Sequence, residues 1–118
     1  MKIALAICLA VLLLIACSRA GNAQPAEVER GGLLIDVRSP GEYNGGHLAN
    51  AILISYTDIA GKIAQHVKGK SDRIVLYCHS GSRAGIAKRT LEKLGYTAVV
   101  NAGSYGKLKA AEEKRAEK

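Results

Sequence analysis

The run Ile74-Val75-Leu76-Tyr77, which ends in Cys78, contains no charged residue and no break. A strand with one face in water alternates apolar and polar residues; an unbroken apolar run between polar turns reads instead as a strand buried on both faces. Leu33-Leu34-Ile35-Asp36-Val37 has the same character, interrupted by one acid and bounded by Gly31-Gly32 and Ser39-Pro40-Gly41. Ala51-Ile52-Leu53-Ile54 and Tyr96-Thr97-Ala98-Val99-Val100 read as two further strands.

Between the strands the apolar period changes to that of a helix. Ile59, Ile63 and Val67 fall on one face of a helix predicted over 55–67, with His66 turned to solvent. After Cys78, Ala84, Ala87, Leu91 and Leu94 share a face opposite Lys88, Arg89, Glu92 and Lys93, and Gly95 supplies the stop. Strands alternating with amphipathic helices predict an α/β fold, a central parallel sheet flanked by helices. Residues 42–48 read as a loop. The predicted domain runs over 31–106, and 107–118, rich in Lys, Glu and Ala, reads as a charged tail that is solvated or frayed.

The N-terminus reads as an address rather than as fold. Lys2 precedes an apolar run from Ile3 to Ala16, shorter than the roughly twenty residues of a spanning helix. The run ends Leu14-Ile15-Ala16-Cys17, which resembles a bacterial lipobox, so residues 1–17 are expected to be a signal peptide with Cys17 lipidated. Cleavage after Ala20 or Ala23 is the competing route. Either route predicts export to the periplasmic side of a bacterial cell envelope, with a lipid anchor in the membrane by the first. Residues 18–30 read as a flexible tether.

Composition narrows the chemistry. With no Phe or Trp among 118 residues, the core has to come from aliphatic side chains and a few Tyr. The formal charge of +7 has no aromatic-basic stacking surface beside it, so a small anionic substrate or lipid headgroups fit it and nucleic acid is not expected. No metal-ligand spacing and no Cys-x-x-Cys pair is present, and neither a metal nor a cofactor is expected. Export removes Cys8. If Cys17 is lipidated, Cys78 is the one free thiol in an oxidising compartment, which points to a chemical use.

Cys78 stands where an apolar strand gives way to a polar turn and a helix. Turn N–H groups and the positive end of a helix dipole converge there, and both favour negative charge on sulfur. Ligands of parallel sheets bind beyond the carboxyl ends of the strands, which is where Cys78 is expected. Asp36 is expected to be a structural hydrogen-bonding acid and His47 a satisfied structural histidine.

Taken together, Leu34-Ile35-Asp36-Val37-Arg38, Glu42-Tyr43, Gly46-His47-Leu48 and Ile74-Val75-Leu76-Tyr77-Cys78 with the loop ending at Arg83 resemble the rhodanese family over about residues 31–105. The resemblance implies the rhodanese α/β fold and sulfur transfer through a persulfide on Cys78. The donor would be a small sulfur anion such as thiosulfate and the acceptor a thiol or cyanide. It implies that His79, Ser80, Gly81, Ser82 and Arg83 bind donor or product, with Asp36, Arg38 and His47 in support. Related phosphatases and arsenate reductases carry one residue more than the Cys-x4-Arg spacing here, so they form the alternative, as does a non-catalytic rhodanese-like binding module. Leu48-Ala49-Asn50 departs from the family's pattern, and Ala102-Gly103-Ser104-Tyr105 only approximates it.

Overall fold

Four parallel strands form the sheet, and each has a physical reason for its place. In the computed structural model, which describes residues 24–117, the elements are α1 (Gln24–Glu29), β1 (Leu33–Asp36), α2 (Pro40–Asn44), β2 (Ile52–Leu53) and α3 (Ile59–Lys62), which tightens into a 3₁₀ turn over Ile63–Gln65. They are followed by β3 (Ile74–Cys78), α4 (Ser82–Lys93), β4 (Val99–Ser104) and α5 (Tyr105–Ala116). The predicted export signal, Cys17, Ala20 and Ala23 lie outside the described residues. Among the described residues no helix is long and apolar enough to cross a membrane.

The strand order is β2-β1-β3-β4. Leu33 pairs with Ile74 and Asp36 with Tyr77 across the central pair, and Ile74 pairs with Val99 on the other side. All five residues of β3 are buried, because helices cover both faces of the sheet. Ile74, Leu76 and Cys78 face a core with Ile35, Ile59, Ile63, Ala84, Ala87 and Leu91. Val75 and Tyr77 face the other, with Leu48, Ala102 and Leu108. The period-2 alternation of a strand thus feeds two apolar layers. Ala84 and Ala87 let α4 lie close to the sheet, and burial of a side chain such as Leu91 contributes about 1.5–3 kcal/mol.

Several predicted boundaries move. The tether expected over 18–30 is helical over Gln24–Glu29: Val28 packs on the second core, and Glu27 accepts hydrogen bonds from Arg73. The expected loop at 42–48 is helical through Asn44, since Ser39 and Glu42 form a reciprocal capping box and Pro40 sits in the first turn. The helix over 55–67 shrinks to α3 and its 3₁₀ turn. Its Ser55 is held instead by donating to the Arg38 carbonyl at 2.9 Å. The last strand starts three residues later than expected and continues through Ser104.

Leu94 is 42% exposed, because α4 ends at Lys93 and Gly95, at φ +98°, turns the chain away. The charged tail is no loose end. Leu108 is buried, and Glu112 accepts from the Ala49 N–H at 2.9 Å, so α5 is packed against the second core.

Candidate active site

From β1 the chain crosses to β2 on one side, whereas β3 lies on the other side of β1. The carboxyl ends of β1 and β3 therefore border the point at which the connections diverge, where parallel sheets open a crevice. Cys78 ends β3; Arg38 and Ser39 follow β1. The Val37 N–H donates to the Tyr77 carbonyl at 3.0 Å and carries the ladder to this edge.

The Cys78 sulfur is surrounded by main chain. Sγ accepts from the Gly81 N–H at 2.9 Å and from the Ala84 N–H at 3.4 Å, and the residue is fully buried. Gly81 adopts φ +101°, a left-handed conformation that favours glycine, and is the N-cap of α4. Gly81 itself has no side chain with which to cap the helix. Sulfur does so instead, taking the N–H that a serine or aspartate N-cap takes elsewhere. The N–H groups of Ser82 and Arg83 in the first turn have no intrahelical acceptor. His79, Ser80 and Ser82 are exposed around the sulfur. The arrangement can hold negative charge on a sulfur, or on an atom bonded to it, using dipoles already in place.

Arg83 reaches from the loop to α2. Its two terminal nitrogens donate to the two Glu42 oxygens at 2.7 and 2.9 Å. Glu42 also accepts from the Ser39 hydroxyl at 2.9 Å and the Ser39 N–H at 3.2 Å. These partners, Arg83 first, hold the Glu42 carboxyl down at about 2, against the opposing effect of burial. Arg83 is raised in return, chiefly by its hydrogen bonds to Glu42. The pair fastens the Cys78 loop to the segment after β1.

A carboxyl depressed in the folded protein adds stability above its unfolded value of 4.5, lost as pH falls from there through about 2. Wild type is therefore expected to exceed Glu42→Gln in stability at pH 7, by no more than about 1 kcal/mol for a partly exposed pair. The gap closes toward pH 2. Urea midpoints of both proteins at pH 7 and pH 3 check this; a gap that is constant with pH refutes it.

Asp36 and Arg38 form a buried pair. Asp36 Oδ1 accepts from the Arg38 N–H and Nε, both at 2.9 Å, and Oδ2 accepts from Nη2 at 2.7 Å. Nη2 also donates to the Gly46 carbonyl at 2.7 Å, and the guanidinium lies 4.2 Å from the Tyr105 ring centroid. His47 stacks on Tyr43 at 3.7 Å between centroids and places Nδ1 2.9 Å from the Tyr43 carbonyl, where that nitrogen donates. Tyr77, beside the cysteine in β3, points to the opposite face, accepts from the Leu48 N–H at 3.1 Å and is pushed upward by burial. These contacts fix the turn between α2 and β2.

A cavity of about 150 Å³ opens between Ser39, Pro40, Ser55, Tyr56, Thr57 and the two arginines, Arg38 and Arg83. A larger one, about 290 Å³, is lined by Lys70 and Tyr96 at the other, amino end of the sheet. Two polar residues at the site escape the sequence reading. Glu42 is visible there only as part of a motif, and Asn101 falls just beyond the predicted end of the last strand.

The model of the rhodanese-like domain matches residues 22–111 of this chain. The chain belongs to the rhodanese family. Thiosulfate sulfurtransferase PspE of Escherichia coli is 42% identical over 69 residues, covering 58% of this chain and 66% of that protein. Thiosulfate sulfurtransferase 16 of Arabidopsis thaliana, a chloroplastic protein, is 33% identical over 76 residues, 55% of this chain and 62% of its own. The chain thus spans less than two thirds of the length of these curated relatives. A solved structure of an E. coli rhodanese with anions superposes with a TM-score of 0.62 at 38% identity, covering 64% of this chain and 89% of that one. The rhodanese fold expected from the motifs, a parallel sheet flanked by helices, is the fold found.

Proposed function

We propose that this rhodanese domain is a sulfurtransferase that carries sulfane sulfur as a persulfide on Cys78. The Cys78 thiolate attacks the outer sulfur of thiosulfate; the sulfur–sulfur bond of the donor breaks and sulfite leaves with the bonding pair. The terminal sulfur of the persulfide then bears the negative charge, and a thiol or cyanide takes that sulfur in the second step and frees the thiolate. The observation that carries this reading is the sulfur itself, receiving N–H groups from Gly81 and Ala84 at the start of α4. Backbone donors there offset the charge in both states without reorganising.

In this reading His79, Ser80, Gly81, Ser82 and Arg83 form the donor's entrance, with Arg83 acting through its field while Glu42 holds it. The anions in the E. coli rhodanese structure support an anionic donor. Thiosulfate should add one sulfur atom to Cys78 by intact mass and release one equivalent of sulfite in the absence of acceptor. Hydrolysis of phosphate esters without sulfur transfer, or inactivity in both assays, overturns the proposal.

We further propose that the protein is exported and anchored through Cys17, on the strength of the lipobox-like Leu14-Ile15-Ala16-Cys17 alone. A triacyl-sized mass increment on Cys17 supports the anchor. An N-terminus beginning after Ala20 or Ala23 refutes it.

A further inference from the structure

The register of β4 against β3 slips once. Leu76 pairs with Asn101 but Tyr77 pairs with Gly103, so Ala102 is an extra residue in β4. Bulges of this kind re-aim side chains beside functional sites. Here the re-aimed group is the half-buried Asn101 amide. Its Nδ2 donates to the Gly81 carbonyl at 3.0 Å, and its Oδ1 accepts from the Gly103 N–H at 2.9 Å. Gly81 is the residue whose own N–H points at the Cys78 sulfur.

We propose that Asn101 is a positioning residue, clamping the Cys78 loop to the bulge in β4 so that the Gly81 N–H stays aimed at sulfur. Gly81 is then held at both ends, by its N–H on Sγ and by its carbonyl on Asn101 and on the Gly85 N–H at 2.9 Å. The surfaces are in close contact. A Cβ on Gly81 would sit 3.5 Å from the Gly103 Cα, and one on Gly85 would sit 3.6 Å from Asn101 Nδ2. On its outer side the bulge is closed by α1, because a Cβ on Gly103 would meet Gln24 Oε1 at 2.7 Å. Among the described residues, Asn101 is the one side chain joining the bulge to the loop by hydrogen bonds at both of its polar atoms. An asparagine fits because the clamp needs a donor and an acceptor on one short side chain.

The inference deepens the sulfurtransferase reading and rests on it for its rate measurement, so the test has an arm that does not. In Asn101→Asp the acceptor for Gly103 is kept while the donor to Gly81 is lost and a carboxylate faces the carbonyl. In Asn101→Ala both bonds are lost. Single-turnover persulfide formation in the full chain separates positioning from folding: a fold defect lowers the amplitude, whereas a misaimed donor lowers the rate constant. At saturating thiosulfate the rate constant is expected to fall about tenfold in both variants, the loss of roughly one hydrogen bond to the charged sulfur. The half-saturating concentration should change less than about twofold, since both polar atoms of Asn101 are taken by the main chain of Gly81 and Gly103.

Iodoacetamide at pH 7 provides the independent arm. Loosening of the fold exposes the buried thiol and speeds alkylation; loss of an aimed N–H slows it. Slower alkylation in the uncharged Asn101→Ala, with full amplitude, supports the clamp, because the carboxylate of Asn101→Asp slows the reaction by its charge alone. If wild type transfers no sulfur but alkylation still slows in the variant, the clamp stands and the sulfurtransferase reading falls. Unchanged rate constants, a loss confined to amplitude, or unfolding of Asn101→Asp overturns the clamp.

Discussion

Cys78→Ser is expected to abolish sulfite release from thiosulfate, by at least about a thousandfold, while leaving a folded domain. The hydroxyl is a poor nucleophile at neutral pH and forms no persulfide, so the sulfur increment disappears from the intact mass. Its oxygen can still accept the Gly81 N–H that Sγ accepts at 2.9 Å, and the fold loses little. Cys78→Ala makes a useful contrast. It removes the acceptor altogether, leaving the Gly81 and Ala84 donors at a buried position without their partner. One such orphaned group costs about 1–3 kcal/mol, so the alanine protein should unfold at lower urea than the serine protein although both are inactive. Turnover retained in Cys78→Ser would end the persulfide mechanism. Equal stability of the two variants would mean that the sulfur is not the acceptor capping α4.

Much of the scaffold was legible because it depends on local pattern. The apolar run Ile74 to Tyr77 announces burial on both faces, and β3 is buried along its whole length. The face Ala84, Ala87, Leu91 predicted the seat of α4, but Leu94 lies past the last helical turn and period alone gives no stop at that point. Elsewhere the local reading failed where tertiary contacts outweigh composition. One leucine, Leu108, docks a helix that otherwise reads as solvated charge. Val28 and Glu27 dock a stretch that reads as tether.

At the site, Cys78 and its loop follow from a strand end, a turn and a helix start in sequence order, so they could be placed. The groups that hold the loop come from distant segments. Glu42 reaches Arg83 across 41 positions and Asn101 reaches Gly81 across 20. No periodicity links such residues. The signal for Asn101 was a polar residue following Val99-Val100, where strand and turn compete and the bulge settles the outcome in favour of strand. Arg83 could be placed in the loop, but nothing local reveals that the Glu42 carboxylate bonds to it.

Asp36→Ala is expected to be the most destabilising substitution outside the apolar core. The Asp36 and Arg38 side chains are 0% and 4% exposed, and four hydrogen bonds join Asp36 to Arg38. Removing the carboxylate leaves a buried guanidinium with the Gly46 carbonyl and the Tyr105 face, which do not neutralise it. Breaking a buried pair from one side costs about 3–5 kcal/mol, against the 5–15 kcal/mol that holds a typical domain together. The urea midpoint should fall accordingly with the slope unchanged. Asp36→Leu combined with Arg38→Met removes both charges and should recover much of the loss, because no unpaired ion remains. Since neither residue touches sulfur, the rate constant for persulfide formation per folded molecule should stay near wild type in the double variant. A single variant within about 1 kcal/mol of wild type would show that water reaches Arg38. A double variant no better than the single would mean that β1 needs the hydrogen bonds themselves, rather than charge neutrality, to hold its carboxyl end beside Cys78.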